Sequence, residues 1–186
     1  DYSQLHTDSG ADHAAINAQR NHSLATPLQP VVSSDGETLY VAAFGSAKIG
    51  VFNVEDIEDA DFEDNFDPTA QSANYIATSG GPSGMVLDET HNRLYVITRF
   101  DNQVEVIDLG TNTTVETHVL HNPEPEAVVT GRPFLYDAFA TSGNGEASCA
   151  SCHIFADMDQ LAWNLGNPDD HVTTNTQPAA IPVSVS

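Results

Sequence analysis

Positive charge is nearly absent from this chain: five Lys and Arg stand against 27 Asp and Glu among 186 residues, a formal net charge of -22. Such a surface repels phosphate backbones and anionic lipid headgroups, so nucleic acid is excluded as a partner. Also missing is any apolar run near the ~18 residues that a membrane helix needs, and no membrane span is expected. The hydrophobic fraction of 40% nonetheless belongs to a globular chain with material for a core. No Ser-His-Asp set, phosphate-cradling glycine loop or pair of catalytic carboxylates can be recognised in the order of residues. Cysteine is scarce too, with two in the whole chain.

Those two cysteines stand in Cys149-Ala150-Ser151-Cys152-His153. Two thiols three positions apart and a histidine directly after them are what covalent attachment of a c-type haem requires. The thiols add to the two vinyl groups and the imidazole reaches the iron. A zinc site would need two more ligands at short spacing, but no cysteine remains and the next histidine is His171. A thioredoxin-like dithiol would need a βαβ setting that the surroundings do not supply. The expectation is one haem c, with Cys149 and Cys152 as thioether anchors and His153 as proximal ligand. Covalent haem is attached outside the cytoplasm, which implies a periplasmic or extracellular protein. A leader is therefore expected to have preceded Asp1, and the Thr/Pro/Val-rich end suggests a segment of a longer protein. The acidity is read as solubility in a salty or extracellular setting, ahead of steering toward a basic redox partner.

Residues 1–27 are polar, carry His6, His13 and His22, and are expected to form an N-terminal arm or linker. From there the pattern is that of short antiparallel strands. Val31-Val32 leads through Ser34-Asp35-Gly36-Glu37 to Thr38-Leu39-Tyr40-Val41-Ala42-Ala43, and a turn at Gly45 to Lys48 leads to Ile49-Gly50-Val51-Phe52. The sequence then repeats itself. Leu39-Tyr40-Val41 superposes on Leu94-Tyr95-Val96 at an offset of 55, and the same offset carries Ile49 and Val51 onto Val104 and Val106. A third copy is expected to begin at Pro125 to Arg132 as a strand and turn, and then to give way to the segment that carries the cysteines.

These repeats, over roughly residues 28–130, resemble the YVTN-type β-propeller family in their Leu-Tyr-Val strand, Asn-type turn and Val-x-Val-x-Asp strand. An acidic insertion at 55–74 interrupts them. Propellers close with four to eight blades, so two blades and a fraction imply that blades are missing or that other subunits complete the ring. From Gly131 the chain resembles the lead-in to the first haem of bacterial di-haem cytochrome c peroxidases, in Gly131-Arg132-Pro133-Phe134-Leu135-Tyr136-Asp137 and Ser148 before the haem motif. That resemblance implies a propeller fused to a di-haem domain, whose second haem would lie beyond Ser186. The expected fold is therefore mainly β, a partial β-propeller followed over 131–186 by a loop-rich c-type haem segment with a short helix.

The sixth haem ligand has no motif. Met158 lies five residues after His153, about 7.5 Å along a helix, too close to reach the opposite haem face, and is read as a core or haem-edge side chain. His171 and His22 are the distal candidates, with Trp163, Leu161 and Leu165 as candidate haem walls. Asp157, Asp159, Asp169 and Asp170 are read as a solvated acidic surface. Asp59, Asp61, Glu63, Asn65 and Asp67 offer alternating oxygen ligands for calcium, although Asp64 and Ala70 occupy the places of the EF-hand glycine and glutamate. His118 and His121 would share a face only on a helix, and no metal site is assigned to them. The function expected is electron transfer through the single haem, to a redox partner protein or a neighbouring haem subunit, with self-assembly as a route to closing the sheets. The alternatives are a fragment of a di-haem peroxidase-like enzyme, and a propeller binding or assembly module in which haem is structural.

Overall fold

The computed structural model describes residues 22–58, 74–141, 145, 147–153 and 157. The chain is mainly β. Strands β1 (Pro27–Val32), β2 (Thr38–Ala43), β3 (Lys48–Asn53) and β4 (Asn74–Ala77) form one antiparallel sheet in that order. Strands β5 (Pro82–Asp88), β6 (Arg93–Thr98), β7 (Gln103–Asp108) and β8 (Thr113–Val119) form a second of the same design. Each is a four-stranded up-and-down meander, the construction of a propeller blade. Alternation explains the strands: Leu94, Val96 and Thr98 are buried while Tyr95 and Ile97 between them are exposed.

The 55-residue repeat is exact at the level of the backbone. Tyr40 pairs with Val51 as Tyr95 pairs with Val106. The register slips at Pro27/Gln29 in the first sheet and at Pro82/Gly84 in the second. Phe44 and Gly45 donate to the carbonyls of Thr26 and Ala25, and Arg99 and Phe100 donate to those of Gly81 and Gly80. The fourth strands depart from this offset because the acidic stretch separates β3 from β4. Residues 59–73 of that stretch lie outside the described residues.

One face of each sheet is buried against the other. Ala42, Ile49 and Ile76 of the first sheet meet Met85, Leu94, Val96 and Ile107 of the second, with Val31, Tyr40, Val51, Leu87 and Leu109 at the margins. At about 25 cal/mol per Å² of apolar surface, this contact is the main stabilising term for the pair of sheets. Polar links fix its register. The Gln29 side chain accepts from the Met85 N–H (2.7 Å) and donates to the Met85 carbonyl (3.2 Å), so β1 is tied to β5 edge to edge. Glu105 is 3% exposed, and its carboxylate accepts from the Ser79 N–H at 2.8 Å and the Thr114 hydroxyl at 2.9 Å.

The strand expected at Pro125 to Arg132 is instead part of helix α2 (Glu126–Tyr136); helix α1 is the short Val54–Glu58. Pro125 sits at the N-cap with φ -58°, and Glu126 places a carboxylate in the first turn, where the helix dipole favours it. Val129 and, from Gly131 to Tyr136, every residue except Phe134 are partly covered, so the C-terminal half of the helix is the part that packs. Helices α3 (Ala138–Thr141) and α4 (Cys149–Cys152) follow. Among the described residues no helix is long and apolar enough to cross a membrane.

The hairpins set two testable values. Ala47 has φ 51° where its repeat equivalent Asn102 has 54°, so a Cβ-bearing residue without a polar side chain occupies the left-handed region. Ala47→Gly is expected to stabilise the protein by about 1 kcal/mol in chemical denaturation; an unchanged or lower midpoint would contradict this. At the β7–β8 turn partial burial tends to raise the Asp108 carboxyl, but the Gly110 N–H, the Arg93 guanidinium and the Thr111 N–H outweigh it and hold it below the usual carboxylate range. A carboxyl lowered on folding contributes stability that is present above the unfolded value, about 4, and lost as pH falls through the folded value. Asp108→Asn should therefore melt below the parent at pH 7, and thermal scans should show the gap closing under about pH 4.

Candidate functional site

The segment with the two cysteines is carried on the ends of two equivalent hairpins. Phe44, at the 3-10 turn between β2 and β3 (Phe44–Ser46), stands edge-on to Phe100 of the β6–β7 turn, with centroids 5.3 Å apart. Tyr136, the last residue of α2, also stands edge-on to Phe44, at 5.5 Å. Phe100 is 4% exposed, and Gly80 and Gly81 beneath it have φ 145° and 59°. A Cβ at either glycine would come within 2.5 or 2.7 Å of the Phe100 ring, so glycine is required on both grounds. One turn before Tyr136, the Arg132 guanidinium donates to the carbonyls of Arg99 (2.8 Å) and Phe100 (3.3 Å) and pairs with Glu124. Helix α2 thus straddles both sheets at equivalent positions.

From α2 the chain turns at Asp137, whose carboxylate accepts from the N–H groups of Phe139 (2.8 Å) and Ala140 (3.0 Å) and so starts α3. The Lys48 ammonium lies 4.2 Å from the centroid of the Phe139 ring and 5.5 Å from that of Tyr75. Burial pushes the Lys48 amine below the usual lysine range, and the Asp137 carboxylate works against that shift.

Helix α4 holds Cys149 and Cys152 at either end of a single turn, and α2 packs against it. Ser148 is 5% exposed, and its N–H donates to the Ser151 hydroxyl at 3.2 Å, while the Ser151 N–H donates to the Ser148 carbonyl at 3.0 Å. This reciprocal cap holds so short a helix. Cys149 is exposed, Cys152 is half-buried, and the thiols are not joined in a disulfide. His153 closes the turn, its N–H bonded to the Cys149 carbonyl at 2.9 Å. The His153 ring is exposed, with Nδ1 3.0 Å from the carbonyl oxygen of Asp157. Because a carbonyl can only accept, Nδ1 carries a proton, and in the neutral imidazole the lone pair is then on Nε2. Among the described residues no three His, Cys, Asp or Glu side chains converge as they would around a bare ion. The motif instead sets an exposed and a half-buried thiol beside one exposed imidazole.

No family model matches this chain, and no curated protein matches it. Two of the solved structures that this chain resembles show the extent of the likeness. Hydrazine synthase of Kuenenia stuttgartiensis is 18% identical with a TM-score of 0.41, over 52% of this chain and 24% of that one. The periplasmic gluconolactonase PpgL of Pseudomonas aeruginosa is 18% identical with a TM-score of 0.41, over 54% of this chain and 28% of that one. The matched part thus spans about a quarter of each of those chains.

Of the other residues singled out in the sequence, His22 stands edge-on to Tyr75 at 5.3 Å, with the Tyr75 hydroxyl donating to the His22 carbonyl at 2.5 Å. Tyr75 is also a neighbour of Lys48, which carries Phe139, so His22 sits on the flank of the first sheet that leads to α3. His171, the other distal candidate, lies outside the described residues, as do Met158, Leu161, Trp163, Leu165, Asp159, Asp169, Asp170 and the calcium candidates Asp59, Asp61, Glu63, Asn65 and Asp67. His118 lies on β8, where its imidazole is 3.2 Å from the Glu116 carboxylate, and the His121 carbonyl accepts from Asn102 at 3.0 Å. Asp157 serves the site through its backbone carbonyl, a role that no side-chain pattern announces. Tyr136, Arg132, Phe44 and Phe100 are the docking residues that sequence reasoning missed.

The docking can be tested by truncating Arg132, whose side chain is 13% exposed. Hydrogen bonds to a charged group contribute about 1.5 kcal/mol or more, so Arg132→Ala should speed amide exchange over residues 126–136 roughly tenfold or more while β6 and β7 keep their protection. Equal protection in both proteins would mean that Arg132 does not hold the helix.

Proposed function

We propose that this chain is an extracytoplasmic c-type cytochrome segment, periplasmic or extracellular, that transfers electrons through one haem held by Cys149, Cys152 and His153. The observation that carries the reading is the His153 Nδ1–H to Asp157 carbonyl bond beside two thiols one helical turn apart. Histidines that bind iron characteristically commit the other ring nitrogen to a carbonyl or carboxylate, which fixes the tautomer and makes the ligating nitrogen more basic. When bound, haem would supply one-electron chemistry between ferric and ferrous iron. The residues present fit that group. Each cysteine Sγ would form a thioether by adding to one vinyl group, its proton passing to the neighbouring vinyl carbon. His153 Nε2 would take the proximal position, and the reciprocal cap of Ser148 and Ser151 would hold the anchoring turn in shape. Helix α2, through Arg132 and Tyr136, would fix that turn relative to the sheets, because a precise electron donor cannot swing freely.

This reading includes the architecture suggested by the sequence: YVTN-type propeller repeats bearing the first-haem segment of a di-haem peroxidase-like protein. Its partner would be a redox protein or a second haem in a neighbouring subunit or a further domain. The distal ligand would come from His22, from His171 or from that partner.

The test is production in a host that attaches haem c, followed by intact mass and a haemochrome spectrum. One haem per chain and low-spin, six-coordinate iron are expected. Cys149→Ala with Cys152→Ala should abolish covalent haem, whereas His153→Ala should keep the thioethers and turn the iron high-spin. No added haem mass, or equal loading of the double variant, would overturn the assignment. High-spin iron in the unaltered protein would favour peroxide chemistry over simple electron transfer.

A further inference from the structure

The two faces of each sheet are related by the repeat, and among the described residues each sheet has one face that no other sheet covers. The first sheet meets the second through Val31, Tyr40, Ala42, Ile49 and Val51. Advancing each by 55 gives Val86, Tyr95, Ile97, Val104 and Val106, which the strand register places together on the opposite face of the second sheet. There Val86 is 66% exposed and Tyr95 and Ile97 are each 38% exposed, while Val104 is half-buried and Val106 is buried. The second sheet therefore repeats, on its open side, the surface by which the first sheet makes the buried contact.

The complement is also in the chain. The second sheet receives the first through Met85, Leu87, Leu94, Val96 and Ile107. Subtracting 55 gives Pro30, Val32, Leu39, Val41 and Phe52, which the register places on the far face of the first sheet. Val32 is 51% exposed, and Leu39, Val41 and Phe52 are half-buried. Even the covering segment is repeated: Ser79 lies over Glu105 of the second sheet, and its equivalent Leu24 lies over Gly50, the equivalent of Glu105.

We propose that the open face of the second sheet binds the far face of the first sheet of another copy of this chain, head to tail, reproducing between molecules the contact already made within one. The occupant is a second copy because that far face is the matching surface this chain itself supplies. Such an interface is heterologous, so repetition builds a closed ring when the rotation per copy closes, and an open chain when it does not. It is also an apolar contact between strongly acidic molecules, which sets its response to salt. Added salt screens the mutual repulsion and strengthens the contact, the reverse of an ion-paired interface.

Sedimentation of the full 186-residue chain over a range of concentrations and salt should show assembly beyond the single chain, increasing with salt. Val86→Lys alters the open face of the second sheet, and Val32→Glu alters the far face of the first. Both positions are exposed, so circular dichroism melts should match the parent. Each variant alone should sediment as a single chain. Mixed in equal amounts, they should form a one-to-one pair and stop there, since each retains the face that the other lacks. A parent chain that stays single at every concentration and salt would assign the open face to another protein and overturn the proposal. So would assembly that salt disperses, variants that assemble like the parent, or a mixture that remains single chains.

Discussion

A two-layer apolar contact governs this molecule. Neither sheet could stand in water alone, because a four-stranded meander with Leu94, Val96 and Ile107 on one side must cover that side. Covering it aligns everything else. Gln29 can reach the Met85 backbone only when β1 lies beside β5, and Phe44 can meet Phe100 only when the equivalent hairpins stand side by side. Helix α2 reads that alignment, since Arg132 contacts one hairpin and Tyr136 the other. The position of the cysteine-bearing turn is thus inherited from the burial of side chains in β2, β6 and β7.

Much of this was legible in the sequence because the repeat is carried by side chains with a period of two. Leu39-Tyr40-Val41 and Leu94-Tyr95-Val96 announce both the strands and their equivalence. The outer strands were not legible, for a physical reason. Strand β8 is exposed at all seven positions, so its Thr-Thr-Val-Glu-Thr-His-Val sequence needs no apolar alternation. Strand β4 begins with Asn74, at the end of the acidic stretch, and is fixed by pairing with β3 more than by its own residues. Helix α2 was misread because Val128, Val129 and Thr130 are β-branched. Docking through Arg132 and Tyr136 overrides that local preference.

The site divides in the same way. Cys149, Cys152 and His153 stand at fixed spacing and form a motif that is visible in the sequence. The carbonyl of Asp157 that orients His153 has no such signature, because every residue has a carbonyl and only the fold says which one arrives. The aromatic cluster of Phe44, Phe100 and Tyr136 joins residues far apart in sequence, so no window along the chain could contain it.

The few cations of this chain have a further consequence. Lys48 lies against Phe139, Arg93 is paired with Asp108, Arg99 reaches the Asn102 side chain at 3.3 Å, and Arg132 is bound to two carbonyls and Glu124. Every Lys and Arg among the described residues is thus tied into the hairpins or the helix. A protease that recognises basic side chains meets them in an extended, accessible backbone only after those elements open. Cleavage by trypsin after Lys48, Arg93 or Arg99 therefore reports the opening of the folded body itself, Arg132 being shielded by the proline that follows it, and the spacing of its cations makes this acidic protein its own gauge of unfolding.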